Sequence, residues 1–119
     1  MFREVARKKQ RLEKAQIIEL LKNEKRGVLS VICENGYPYG VPMNYWYNPE
    51  NGYIYFHSGK SGHKTDSILL NNKVSFCVFN KGFKNDGEWV LNISSVIVFG
   101  KIYAVEDFEG VYNKMFMCI

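Results

Sequence analysis

Short strand-like segments separated by tight turns recur along most of this sequence. Bulky and polar residues alternate in four of them, at 28–33, 37–47, 53–57 and 73–79. Asn35-Gly36, between the first two, is a strong signal for a β-hairpin. Pro38 and Pro42 predict that the second strand lies at an edge or contains a bulge, because proline donates no ladder hydrogen bond. With one helical pattern in mid-chain, this arrangement is typical of a small antiparallel barrel.

A predicted amphipathic helix over 13–24 precedes the strands. Its apolar residues fall between Ile17 and Leu21, and Gly27 follows as a predicted stop signal. Residues 1–26 hold nine Lys and Arg against four Glu, a balance of +5, whereas the rest of the chain balances at −1. The basic character therefore belongs to an N-terminal helical arm, about residues 1–26. Because the strand-rich body carries no basic stripe, we predict a solvated arm and no nucleic-acid partner.

The C-terminal half is predicted to hold a polar loop, further strands and a last helix. The loop covers 80–88, and 89–105 gives one long or two short strands with a bend at Gly100. Residues 106–117 are predicted to be helical. The apolar end of the chain predicts either a truncated C-terminus or a helix whose remainder is missing.

Length and composition predict one soluble, cytoplasmic domain over residues 1–119. The chain is 46% hydrophobic and 24% charged, within the range of globular proteins. No segment approaches the ~20 apolar residues that would cross a bilayer, and the N-terminus is charged. The three cysteines are scattered and form no C-x-x-C pair, so that neither a disulfide framework nor a metal site is expected.

The loop after the third strand has the composition of a phosphate-binding loop. Ser58 to Lys64 interleaves glycines with Ser58, Lys60, Ser61 and Lys64, and a helical pattern follows at 65–71. Backbone N–H groups of such a loop, with the helix start, can surround a phosphate that the lysines neutralise. Since the P-loop spacing is absent, a mononucleotide-type cofactor is favoured over ATP. A solvated surface loop explains the same residues equally well on this pattern alone.

Four segments together resemble the flavin-binding split-barrel superfamily that includes pyridoxamine-phosphate oxidase. They read YGVPMNY at 39–45, IYFHSGKSGHK at 54–64, NKVSF at 72–76 and SVIVFG at 95–100. The nearest branch in this resemblance is the 5-nitroimidazole-resistance (Nim-type) proteins. The resemblance implies a mainly β fold with flanking helices, an antiparallel split β-barrel of the FMN-binding type, and a homodimer with the flavin at its interface. It implies FMN in preference to FAD.

The resemblance also assigns cofactor-binding positions on two segments. The strand at 41–44 would lie along the isoalloxazine ring, and 56–58 would flank the ring and ribityl chain. Lys60 and Lys64 would hold the phosphate, with His63 or Ser61 helping. The full implied set is Val41, Pro42, Met43, Asn44, Phe56, His57, Ser58, Lys60, Ser61, His63 and Lys64.

Several of these positions have equally simple structural interpretations. Met43 and Phe56 would be ordinary core residues in any barrel, and His57 could be a structural histidine. Trp46 and Trp89 could line a flavin pocket or stabilise a dimer. No histidine or carboxylate lies at metal-ligand spacing from His63, which argues against a metal site.

The function expected from the resemblance is FMN-dependent reduction of small electron-poor molecules such as nitroimidazoles. The family's tyrosine-arginine pair before the serine-valine strand is absent, since 89–95 reads WVLNISS. Three alternatives stay open: a flavin-binding module without turnover, serving storage or sensing; a pyridoxamine-phosphate-oxidase-like oxidase; and haem in the same cleft. No G-x-G-x-x-G fingerprint is present, so a stable nicotinamide site of the Rossmann type is not expected.

Overall fold

A computed structural model describes residues 12–57, 71–106 and 112–118 of the chain. These residues form one helix and six antiparallel strands. The elements are α1 (Lys14–Asn23), β1 (Arg26–Ile32), β2 (Pro38–Asn48), β3 (Tyr53–His57), β4 (Lys73–Phe79), β5 (Ser95–Glu106) and β6 (Tyr112–Cys118). The strands close a barrel in the order β1-β2-β3-β6-β5-β4, which confirms the predicted antiparallel barrel.

Alternation along the strands sorts apolar side chains into the barrel. On β1 and β4 every second residue is buried, and Leu29, Phe76 and Val78 are fully buried. The Phe76 ring lies at the centre of an aromatic cluster, with its centroid 4.9 Å from that of Phe56 and 5.0 Å from that of Tyr45, both edge-on. Edge-to-face pairs add to the stabilisation that burial supplies.

Helix α1 packs on one end of the barrel through Leu20 and Leu21, which are buried. The Gln16 side chain accepts a hydrogen bond from the backbone N–H of Glu13 at 2.8 Å, which satisfies one unpaired donor at the helix start. The helix ends at Asn23, before Gly27. Among the described residues, no helix is long and apolar enough to span a membrane.

Gly27 is a residue of β1 and does not stop the helix, so this part of the prediction was wrong. A Cβ atom at Gly27 would lie 2.6 Å from both the carbonyl oxygen of Cys77 and the Phe76 ring. Glycine is needed here because β1, β4 and the central phenylalanine approach closely. The requirement comes from packing between strands distant in sequence.

The C-terminal half differs from the prediction in two ways. Residues 112–118, predicted as helix, form β6, which pairs with β3 on one side and β5 on the other. The hydrogen bonds that β6 forms with both neighbouring strands outweigh the local helical preference of this segment, as tertiary context commonly does. Strand β5 begins only at Ser95, and it passes through Gly100 without a break; its register shift lies between Val105 and Glu106.

Candidate functional site

Strand β2 changes its pairing partner along its length. Its first part, residues 38–44, pairs with β1, and its last part, residues 45–48, pairs with β3. Among the described strands, none pairs with the edge of residues 38–44 that faces away from β1. Pro38 and Pro42 both lie in this part, so that the predicted edge position holds for half of the strand. The edge presents main-chain donors and acceptors to any group that enters beside it.

Two of the segments assigned from the sequence meet at the end of this edge. Tyr45 pairs with Phe56, and the next residues, Asn44 and His57, adjoin where β3 ends. Asn44 is exposed, and its side-chain oxygen accepts a hydrogen bond from Nε of Arg26 at 3.1 Å. The open edge of β2 therefore ends beside His57, the last residue of β3 before the segment that begins at Ser58.

The side chains on the two segments divide between the core and the outside. Met43 and Phe56 are buried, and Val41 is half-buried against the same core. Pro42 is exposed. A ligand beside Met43 or Phe56 would therefore meet their main-chain atoms. The side chain of His57, and all of Ser58, Lys60, Ser61, His63 and Lys64, lie outside the described residues.

A cleft of about 630 Å³ opens beside Asn44, between the end of α1 and strand β2. This volume lies within the ~300–1,000 Å³ that small-molecule sites occupy. The lining residues are Leu21, Lys22, Glu24, Lys25, Arg26, Asn44, Tyr45, Trp46, Tyr47 and Pro49. They carry three cationic groups and one carboxylate, so that the cleft favours an anionic or polar ligand.

Trp46 forms an aromatic wall of this cleft. Its side chain is 60% exposed, and its ring stacks on Tyr55 with a centroid distance of 5.4 Å. The Tyr55 hydroxyl in turn accepts a hydrogen bond from the Asn51 side chain at 3.0 Å. Of the two tryptophans considered from the sequence, Trp46 lines the cleft, whereas Trp89 lies elsewhere.

Tyr45 joins the cleft to the helix. Its hydroxyl donates a hydrogen bond to the carbonyl oxygen of Leu21 at 2.8 Å, in the last turn of α1. Burial, with a smaller contribution from the Glu24 carboxylate, raises the pKa of Tyr45 to about 12. Because both causes disfavour the charged form, the neutral phenol is the form that holds the helix on the barrel.

Replacing Tyr45 with phenylalanine is expected to lower the free energy of unfolding by about 1 kcal/mol at neutral pH, because the Leu21 carbonyl loses its donor. The raised pKa adds a pH dependence. The stabilisation is complete below pH 10, the ordinary pKa of tyrosine, and is lost as the pH rises through about 12. Denaturant unfolding of both proteins across that window measures it. If the free energy of unfolding falls equally with pH in the wild type and in Tyr45→Phe, the role of Tyr45 is contradicted. Replacement of the exposed Tyr37 with phenylalanine serves as the control.

Lys22, Lys25 and Arg26 were not assigned to a site from the sequence. They were interpreted as part of a solvated basic arm, and only the turn from α1 into β1 brings them to the Asn44 strand. The described residues include no carboxylate that forms an ion pair with any of the three. Arg26 lies two residues before the strand predicted at 28–33, a position that gives no sequence signal for this placement.

The strand order and the antiparallel pairing define a class of fold, the split β-barrel, and a family model identifies the family within that class. The model described as pyridoxamine 5'-phosphate oxidase matches residues 13–111. The chain therefore belongs to the pyridoxamine 5'-phosphate oxidase family of FMN-binding split barrels. No curated protein matches the sequence significantly.

Solved structures share the fold. A candidate 5-nitroimidazole antibiotic resistance protein from Bacteroides thetaiotaomicron superposes with a TM-score of 0.74 at 22% identity, covering 88% of this chain and 78% of that one. An FAD-binding protein from Mesorhizobium loti gives 0.67 at 26% identity, covering 83% and 64%. A haem-binding protein from Mycobacterium smegmatis gives 0.64 at 15% identity, covering 83% and 39%. The chain thus spans less than two thirds of the last two proteins.

Proposed function

We propose that this protein binds a flavin, FMN in preference to FAD, along the open edge of β2. The observation that carries the proposal is the edge of residues 40–44 that faces away from β1, with which none of the described strands pairs, in a member of this family. A flavin ring presents alternating donors and acceptors at one edge, and an extended strand can match them without special side chains. Pro42 fits this arrangement because it stiffens the strand and withholds one N–H.

The phosphate of FMN is assigned to the loop that follows β3. Lys60 and Lys64 would neutralise it, and Ser58, Ser61 and His63 would donate hydrogen bonds. The support is that β3 ends at His57, beside Asn44, so that a ring on the β2 edge lies next to the start of this loop. The cleft beside Asn44, which Lys22, Lys25 and Arg26 line, adds positive charge near the same end of the β2 edge.

The proposed activity is reduction of small electron-poor molecules such as nitroimidazoles. A bound flavin supplies hydride transfer, while this chain supplies position and shielding from water. Main-chain groups of Val41 to Asn44 would orient the ring, and Trp46 would border the open side where a planar substrate could stack. The structural likeness of this chain to a candidate 5-nitroimidazole antibiotic resistance protein motivates this choice of substrate class. A cytoplasmic location stays a prediction of the sequence.

A homodimer would complete the site. Phe79 and Ile97 are exposed on the outer faces of β4 and β5, and the open β2 edge is exposed as well. Apolar surface of this kind on a small barrel marks an interaction site. A two-fold partner would cover it and enclose the flavin between the copies.

The absorption spectrum of the purified protein tests the cofactor. We expect oxidised flavin bands and one flavin per chain, and an apo-protein that gains thermal stability with FMN more than with FAD. A haem spectrum, or no stabilisation by either flavin, would refute the proposal. Reduction of a nitroimidazole by the photoreduced holoprotein then separates a reductase from a binding module without turnover. Anaerobic reduction of the oxidised holoprotein by pyridoxamine phosphate, followed by reoxidation with oxygen, would point to an oxidase.

A further inference from the structure

The connection between β4 and β5, residues 80–94, projects five apolar side chains into solvent; we call it the β4–β5 arm. They are Phe83, Trp89, Val90, Leu91 and Ile93. Trp89 is 85% exposed, the highest value among the exposed large apolar residues described. We propose that the β4–β5 arm docks on a second copy of this chain, with Trp89 as its anchor.

Hydrogen bonds at its base and middle hold the arm in shape. Asn80 donates its backbone N–H to the Ser94 carbonyl, and its side-chain oxygen accepts from the Ser94 N–H, both at 3.1 Å. Further out, Phe83 and Asn92 exchange backbone hydrogen bonds of 3.0 and 2.8 Å as an isolated bridge. The arm is therefore an ordered hairpin that holds its apolar side chains away from the core.

Gly82 shows that the backbone of the arm is closely packed. Its φ is +77°, a conformation that favours glycine, and a Cβ atom there would lie 2.7 Å from the Asn92 carbonyl oxygen. The side chain of Asn80 accepts a hydrogen bond from the Gly82 N–H at 3.1 Å. Such a turn fixes the direction of the arm, which lowers the entropy lost when a partner binds.

The exposed area suits a dimer contact. Phe83 and Trp89 would each bury ~150–250 Å², and with the three aliphatic side chains the arm offers several hundred Å². A stable interface needs about 800 Å² from each partner. In a two-fold pair both arms contribute, so that the two arms and a small part of each barrel surface are enough to reach this interface area.

Charge and continuity favour a second copy over a charged partner. Lys81 and Lys84 are balanced by Asp86 and Glu88 on the arm, so that two copies approach without net repulsion. Nucleic acid or an anionic membrane would need a net positive surface. The exposed apolar residues of the arm are followed in the sequence by Ile97, which is exposed on the outer face of β5 and joins the arm to that face.

This inference rests on the proposed function only in requiring a dimer, and it assigns the segment that makes the contact. The test compares wild type, Trp89→Ser/Leu91→Ser, and Tyr37→Ser by sedimentation equilibrium. Tyr37 is a matched control, since it is 70% exposed and lies in the β1–β2 hairpin, at the opposite end of β1 from the arm. We expect the double substitution to raise the dimer dissociation constant by about 100-fold, and the control to change it less than about threefold.

Two further measurements keep the outcome decisive. Thermal unfolding should show all variants folded, because the replaced side chains make no core contact. In a Trp46→Phe background, fluorescence from Trp89 should shift to shorter wavelength as protein concentration rises through the dissociation constant. Equal dimerisation by wild type and the double variant, or a monomeric wild type, overturns the inference. Flavin absorbance on the same samples separates the proposals. A flavin-loaded monomer would refute the arm contact and the proposed homodimer but not the cofactor, whereas an arm-dependent dimer without flavin would refute only the cofactor.

Discussion

Replacing Lys60 or Lys64 with alanine is expected to weaken FMN binding by roughly tenfold to a hundredfold. Each charge-assisted contact to a phosphate is worth about 1.5–3 kcal/mol, and the phosphate carries roughly −1.5 to −2 charges near neutral pH. Isothermal titration of the apo-protein measures the dissociation constant. Riboflavin shares the ring and lacks the phosphate, so its affinity should stay nearly constant in the same variants.

The comparison needs an exposed lysine outside the loop. Lys73 at the start of β4 is exposed and pairs with Lys101 of β5, and it is not one of the residues proposed to hold the phosphate. Lys73→Ala should bind FMN like the wild type. If Lys60→Ala and Lys64→Ala do so too, the phosphate is held elsewhere. The cationic cleft with Lys22, Lys25 and Arg26 would then be the next place to test.

Replacing Phe76 with alanine is expected to lower the free energy of unfolding by about 3–5 kcal/mol. The side chain is fully buried, and its ring contacts Tyr45, Phe56 and the backbone position of Gly27. Removing it leaves a cavity that strands fixed by ladder pairing on both sides cannot close. Denaturant unfolding at one protein concentration measures the change, because a dimer makes apparent stability depend on concentration.

Phe79 supplies the matched control on the same strand. It is three residues away and 50% exposed, on the outer face of the barrel. At a protein concentration low enough for the chain to be monomeric, Phe79→Ala should cost less than about 1 kcal/mol, as surface substitutions usually do. Similar losses for the two variants would mean that the inside and outside of β4 are wrongly assigned.

The strands with the clearest alternation could be predicted from the sequence. Lys73–Phe79 is a strand with the predicted bounds, and Tyr53–His57 agrees as well. Their inner faces are set by a period of two residues, which any half-buried strand must have. The Asn35-Gly36 hairpin also follows from local chemistry, since the Asn35 side chain accepts the Tyr37 N–H at 3.1 Å within the turn itself.

Long-range pairing decided the elements that were predicted wrongly. Residues 112–118 are a strand because β3 and β5 each offer an unpaired edge, and neither edge can be recognised from the local sequence of β6. Gly27 is required by a carbonyl and a ring some 50 positions further along the chain. The short apolar runs at 89–94 form no strand of the barrel, because their side chains face outward on the β4–β5 arm.

The candidate site shows the same division. The sequence by itself determined which residue types could meet a flavin, on the segments at 41–44 and 56–64, because those motifs are local. Only the tertiary structure decided that none of the described strands pairs with the outer edge of residues 40–44, and that Arg26 reaches Asn44 across 18 positions of sequence. The physical reason is that an open edge and a cleft are properties of how strands and helix end beside one another, and no single segment encodes that arrangement.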